Sequence, residues 1–192
     1  FKNGFVTRNG DVRPPSSYGT ACQLVAVAFQ CQSQVQFGGV ASAHIDFDLS
    51  PFVLKSFIKY YNDGLKWIKM YPELDFIPES IEDSRLTSNK IVYDYAMSML
   101  EREGRQATEA LFHNLNTLES RQGSQVPFTS LNYGRDTTPE GRLVTKWMLE
   151  ASIDGVGKHH LTPIFPISIF QYKKLIFVNI FLLQQTYHKN AN

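Results

Sequence analysis

Cysteine is scarce in this sequence, with only Cys22 and Cys31 among 192 residues. A disulfide framework of the kind that staples small secreted domains is therefore not what organises the chain. If both lie on one helix, a spacing of nine turns them through roughly 900°, so they face opposite sides and cannot bridge. A surplus of one charge is also lacking, because 19 Lys and Arg stand against 18 Asp and Glu, for a net charge of +1. That balance argues against wholesale binding to nucleic acid or an anionic membrane, and leaves room for a local basic pocket only. The amino end has no initiating Met, no signal-peptide apolar region and no transit-peptide character. It reads as the interior of something longer, with the cytoplasm as the default compartment. The apolar run from Leu175 to Leu183 is too short to span a bilayer.

Several chemical signatures are missing as well. There is no Walker-type phosphate loop, and Gly38-Gly39, Gly155 and Gly157 read as helix stops. The five histidines are scattered, and His159 and His160 are adjacent without Cys, Asp or Glu at ligand spacing, so no metal site is expected. No Ser-His-Asp order stands out, and no catalytic residue is assigned. Asp46 and Asp48 could stand two apart on a strand, but paired acids on a surface loop usually serve solvation.

What the sequence does have is apolar and aromatic bulk: 43% hydrophobic residues, 14 Phe and 9 Tyr. That is enough to offset the entropy of ordering one domain with a sizeable core. The stretch up to Pro15 is polar and turn-rich, with Asn9-Gly10 as a hairpin-type signal. Ser16-Ser17 opens a helix carrying Ala21, Val25, Ala28 and Phe29 at helical spacing. A second helix is expected from about Pro51 to Lys69, with Phe52, Phe57, Tyr60 and Ile68 as core candidates, followed by a connection to Ser88. A long helical pattern covers 89–120, and Gly104 is a candidate break within it. Ala107, Leu111, Asn114 and Leu118 continue the stripe beyond that glycine.

The pattern then changes. Residues 126–133 alternate, are rich in β-formers and close on Gly134. Thr138-Pro139-Glu140 opens a helix whose buried face is Leu143, Trp147 and Ala151, and 164–172 is a second strand. Strand, helix, strand with one crossover implies parallel pairing. Two parallel strands do not make a sheet, so partners are missing and an open β edge is expected.

Three runs are specific rather than generic. They are Asn114 to Ser130 (NLNTLESRQGSQVPFTS), Asp136 to Arg142 (DTTPEGR) and Thr162 to Phe170 (TPIFPISIF). In this order and at this spacing they resemble the anaerobic (class III) ribonucleoside-triphosphate reductases, a glycyl-radical enzyme family. Pro15 to Cys22, Gln36 to Gly39 and Pro51-Phe52 resemble the family segment that precedes them. The resemblance implies an α/β fold, namely part of a ten-stranded α/β barrel of the glycyl-radical type, mostly helical in its first 120 residues. It implies reduction of ribonucleoside triphosphates to deoxyribonucleotides, with a glycyl radical passed to a cysteine thiol and formate as reductant.

By the same resemblance, the partners are ribonucleoside triphosphates, dNTP effectors, an iron–sulfur activase, a second copy in a homodimer and the missing portions of the reductase. Zinc and ATP or dNTP effectors belong to the full-length family, and none is expected to be bound by this chain. The family's active-site cysteines, radical glycine, zinc cysteines and ATP domain have no counterpart here. Cys22 and Cys31 lie outside the matching motifs and carry no radical role. The expectation is therefore an internal fragment, 1–174, inactive alone, with a non-family tail at 175–192.

The resemblance also puts the strand containing Ser124 to Ser130 in the barrel wall near substrate. Ser124, Gln125, Thr129 and Ser130 supply hydroxyl and amide groups beside Arg121, as a triphosphate requires, and Phe128 could exclude water. Each residue has an ordinary reading too: strand residues, a helix-end cation, a core aromatic. Gln23 and Lys55 are candidates for effector binding, against a reading as exposed helix polarity. A non-catalytic nucleotide-binding or dimerising split subunit is the alternative, and an unrelated α/β interaction protein a third reading.

Overall fold

The computed structural model describes residues 3–7, 10–119 and 125–172. Strands β1 (Phe5–Thr7) and β2 (Gly10–Val12) pair antiparallel on either side of 8–9; of the Asn9-Gly10 signal, Gly10 opens β2 and Asn9 lies outside the described residues. Helix α1 (Tyr18–Val35) starts at Ser17, whose Oγ accepts from the Thr20 N–H while the Thr20 hydroxyl accepts from the Ser17 N–H. This reciprocal cap satisfies two otherwise orphaned donors. Cys22 is buried and Cys31 exposed, as the angular argument requires.

After α1 come β3 (Val40–Ser42), helix α2 (Ile45–Gly64) and a π-helical turn (Leu65–Lys69). Short helix α3 (Ser84–Thr87) leads into the long α4 (Lys90–Thr117). Strand β4 (Thr129–Tyr133), helix α5 (Pro139–Asp154) and β5 (Ile167–Phe170) complete the described chain. The fold is thus mixed α/β, mostly helical, with small sheets and no closed barrel among the described residues.

Four expectations need correction. Helix α2 begins at Ile45, so Pro51 lies inside it; the Phe47 carbonyl that Pro51 cannot serve takes the Ser50 hydroxyl at 3.3 Å. Ile68 is exposed rather than core, because the π turn rotates it off the buried stripe. Gly104 does not break α4. A Cβ there would come within 2.3 Å of the Trp147 ring, so the glycine lets α5 approach α4 closely. Asp46 is fully buried rather than solvating a loop, whereas Asp48 in the same helical turn is exposed.

The core lies between α1, α2, α4 and α5. Trp147, Tyr18, Phe52, Phe57, Leu100 and Leu111 are among its fully buried members. Tyr18 anchors it, donating its N–H to Ser56 Oγ at 2.8 Å, sharing a 2.8 Å hydrogen bond with Thr108 and packing 4.9 Å from Trp147. At the rim, Glu101 accepts from Trp147 Nε1, Lys146 Nζ and Arg105 Nε at 3.0, 2.6 and 2.9 Å. No described helix is long and apolar enough to cross a membrane.

The second sheet has the order β3-β4-β5, all parallel. The expected parallel pair is present, and β3 adds a third strand that was not foreseen. Both outer strands, β3 and β5, leave an unpaired edge among the described residues.

Candidate functional site

Strand β4 alternates without interruption: Thr129, Leu131 and Tyr133 are buried, Ser130 and Asn132 partly exposed. Register extends that division across the sheet. Ser130 is paired with Ala41 and Ile167, and Asn132 with Ile169, and partners in a ladder share a face. Ala41 is exposed, while Ile167 and Ile169 are 55% and 43% exposed. On β4 one face, with Thr129, Leu131 and Tyr133, therefore packs on the helices, and the other, with Ser130 and Asn132 beside two isoleucines, is only partly covered by the described residues; on β5, Ser168 of the helix-facing side is exposed as well. A parallel sheet is normally covered on both faces.

The structure separates the sequence candidates. Ser130 belongs to the bare face. Thr129 points the opposite way, 2% exposed, and its hydroxyl has no hydrogen-bond partner among the described residues. Phe128 precedes the strand, half-exposed, with its ring 5.4 Å from Phe165, and its carbonyl accepts from the Val40 N–H at 2.8 Å. Gln125 is exposed, and Arg121 and Ser124 lie outside the described residues. Asn132, which sequence reasoning missed, lies on the Ser130 side of β4, partly exposed, with a buried Oδ1 that finds no hydrogen-bond partner among the described residues. Its signal was present: it is the next residue after Ser130 in the period-2 alternation.

The two effector candidates do not share a cavity. Gln23 lines a groove of about 350 Å³ between α1 and α4, together with Tyr60, Arg102, Glu103 and Gln106. Its Oε1 accepts from Asn114 Nδ2 at 3.2 Å. Burial and the nearby Glu103 carboxylate push the Tyr60 phenol up to about 12. Lys55 lies elsewhere, 3.4 Å from the Pro15 carbonyl and 4.9 Å from the Phe52 ring centroid.

The turn at the carboxyl end of β4 is held by a buried carboxylate. Asp46, from the first turn of α2, accepts with Oδ2 from the N–H groups of Gly134, Arg135 and Asp136 at 2.9, 2.8 and 2.8 Å. Its Oδ1 accepts from the Phe47 N–H at 3.1 Å. Asp136 Oδ1 in turn accepts from the N–H and hydroxyl of Thr138 at 2.9 and 2.7 Å, and Thr138 caps α5 through the Gly141 N–H. Glu140 Oε1 takes the Ile81 N–H and the Ser80 hydroxyl at 2.7 and 2.8 Å, tying the 70–88 connection to α5. Charge-assisted bonds of this kind are roughly twice as strong as neutral ones.

Comparison with known proteins supplies the context for a sheet left bare on one side. The family model described as anaerobic ribonucleoside-triphosphate reductase matches residues 1–189. The chain belongs to that family. The anaerobic ribonucleoside-triphosphate reductase of Haemophilus influenzae is 32% identical over 175 residues, covering 91% of this chain and 22% of the relative. That of Enterobacteria phage T4 is 31% identical over 166 residues, covering 86% and 24%, and that of Escherichia coli 30% over 168 residues, covering 87% and 20%. The chain thus spans between a fifth and a quarter of the length of these reductases. Among the described residues no group of three His, Cys, Asp or Glu side chains is gathered as a metal would require, and Cys22 and Cys31 face apart. These residues do not fit the zinc site that the family resemblance implies.

Proposed function

We propose that this chain forms a wall of the catalytic domain of an anaerobic reductase that converts ribonucleoside triphosphates to deoxyribonucleotides, as a partial α/β barrel whose bare β3-β4-β5 face is turned toward substrate. The observation that carries the reading is the uneven cover of β4: helices bury Leu131 and Tyr133, while Ser130 and Asn132 are left partly exposed beside the exposed Ile167 and Ile169. A barrel wall needs that arrangement, with helices outside and side chains lining an interior. Hydroxyl and carboxamide groups on the inner side suit a polyhydroxylated ligand, and the isoleucines exclude water around it.

In this reading the radical-bearing groups, the iron–sulfur activase and the second protomer lie outside these residues. The chain's own part is to bind and orient. Titration of ATP, CTP, GTP and UTP into the chain, followed by calorimetry, tests it. Ser130→Trp and Asn132→Trp fill the bare face and should abolish binding, whereas Lys59→Trp on the exposed side of α2 should leave it intact. Unchanged binding in both sheet variants contradicts the reading.

A further inference from the structure

Three acids surround the turn that follows β4, and all three are committed to internal donors: Asp46 to Gly134, Arg135 and Asp136, Asp136 to Thr138, and Glu140 to Ser80 and Ile81. Arg135 stands in their midst with an exposed side chain, and no ion pair to it occurs among the described residues. Its backbone, by contrast, is fixed, because Asp46 Oδ2 holds its N–H at 2.8 Å and those of both neighbours. The turn itself tolerates little change: Gly134 has φ +100, and a Cβ there would meet the Phe170 ring at 2.6 Å and the Gln171 carbonyl at 2.7 Å. A fully buried carboxylate from a helix 88–90 residues away in sequence thus fixes the backbone from which one guanidinium, without an ion pair among the described residues, extends. It does so at the carboxyl end of the central parallel strand, where open α/β sheets receive ligands.

We propose that Arg135 contacts the polyphosphate of the ligand and that Asp46 is the positioning residue that holds it there. The inference rests on the reading of the bare sheet face given above, and it adds a cation in the turn at the carboxyl end of β4, whose partly exposed residues, Ser130 and Asn132, are uncharged. A guanidinium meets phosphate oxygens with two parallel N–H groups, which an ammonium cannot reproduce.

The test titrates inorganic tripolyphosphate and ATP into the full 192-residue chain and its variants. Arg135→Ala should weaken tripolyphosphate binding about tenfold or more, and Arg135→Lys should fall between the two. Asp46→Asn should weaken it several-fold and have no further effect once Arg135 is alanine. A general loosening of the fold would instead add to the Arg135→Ala loss. If Asp46→Asn fails to fold, Asp46→Glu keeps the charge, shifts the turn by one methylene and should show the same non-additivity.

Tripolyphosphate binding that is absent from the unaltered chain, or unchanged by Arg135→Ala, overturns the proposal, as does strict additivity of the two variants. If Ser130→Trp abolishes ATP binding while Arg135→Ala does not alter it, this inference falls and the bare-face reading stands. If Arg135→Ala weakens tripolyphosphate binding while the sheet variants leave ATP binding unchanged, the bare-face reading falls instead.

Discussion

Single residues in this chain are decided by partners far away in sequence, and Gly104 makes the point. Propensity alone reads it as a break, since glycine is disfavoured in helices. The observed role is steric: Trp147, 43 positions on, occupies the space its Cβ would need. Gly104→Ala, favourable by propensity, should therefore destabilise the chain by about 1–3 kcal/mol in urea denaturation. Asp46 was illegible for the same reason, because the three N–H groups it serves lie 88–90 residues downstream. The cysteines were legible, since angular spacing needs no knowledge of the partner. Burial pushes the Cys22 thiol up to about 12, so at pH 8 iodoacetamide should modify one cysteine, Cys31, in the folded chain and both in guanidinium. Glu101 gives a pH prediction. Burial raises its carboxyl, but hydrogen bonds from Lys146, Arg105 and Trp147 outweigh that and leave it below its ordinary 4.5. A depressed carboxylate contributes stability above the unfolded value and loses it as pH falls through the folded one. The stability gap between the unaltered chain and Glu101→Gln should be full at pH 6 and shrink below pH 4.5, as pH-resolved urea melts would show.

Elements were readable where local signals were complete. The α5 start was legible because Thr138, Pro139 and Glu140 each point to a helix N-terminus, and the Thr138 hydroxyl does cap the Gly141 N–H at 3.1 Å. Thr138→Ala should cost about 1 kcal/mol, measurable as a lower denaturation midpoint. The parallel pairing of β4 and β5 followed from the single helical crossover. Strand β3 was not legible: three residues carry no periodicity, and its pairing with β4 joins positions 89 apart. The start of α2 was misjudged because Pro51 imitates a first-turn proline, while the true first turn hides among 45–50 behind an N-cap, His44, that makes no side-chain cap.

For the whole molecule, the distribution of cover matters most. Four helices pack around Trp147 and Tyr18 in a core that reaches Leu131 and Tyr133 on one side of the central strand, and the other side carries partly exposed polar groups and exposed isoleucines. The sequence anticipated an open edge and missing partners, but could not say which residues would face the opening, because the register between β3, β4 and β5 is set by non-local pairing. Of the residues singled out for substrate, Ser130 stands on that face and Thr129 on the other, and only the structure separates them.

The central claim, that the bare face meets the nucleotide, is tested most directly by photocrosslinking with 8-azido-ATP and mapping the modified peptide. The account predicts labelling within residues 129–135 and 167–170, suppressed by excess ATP. Labelling confined to the outer surfaces of α2 and α4, or insensitive to ATP, would contradict it.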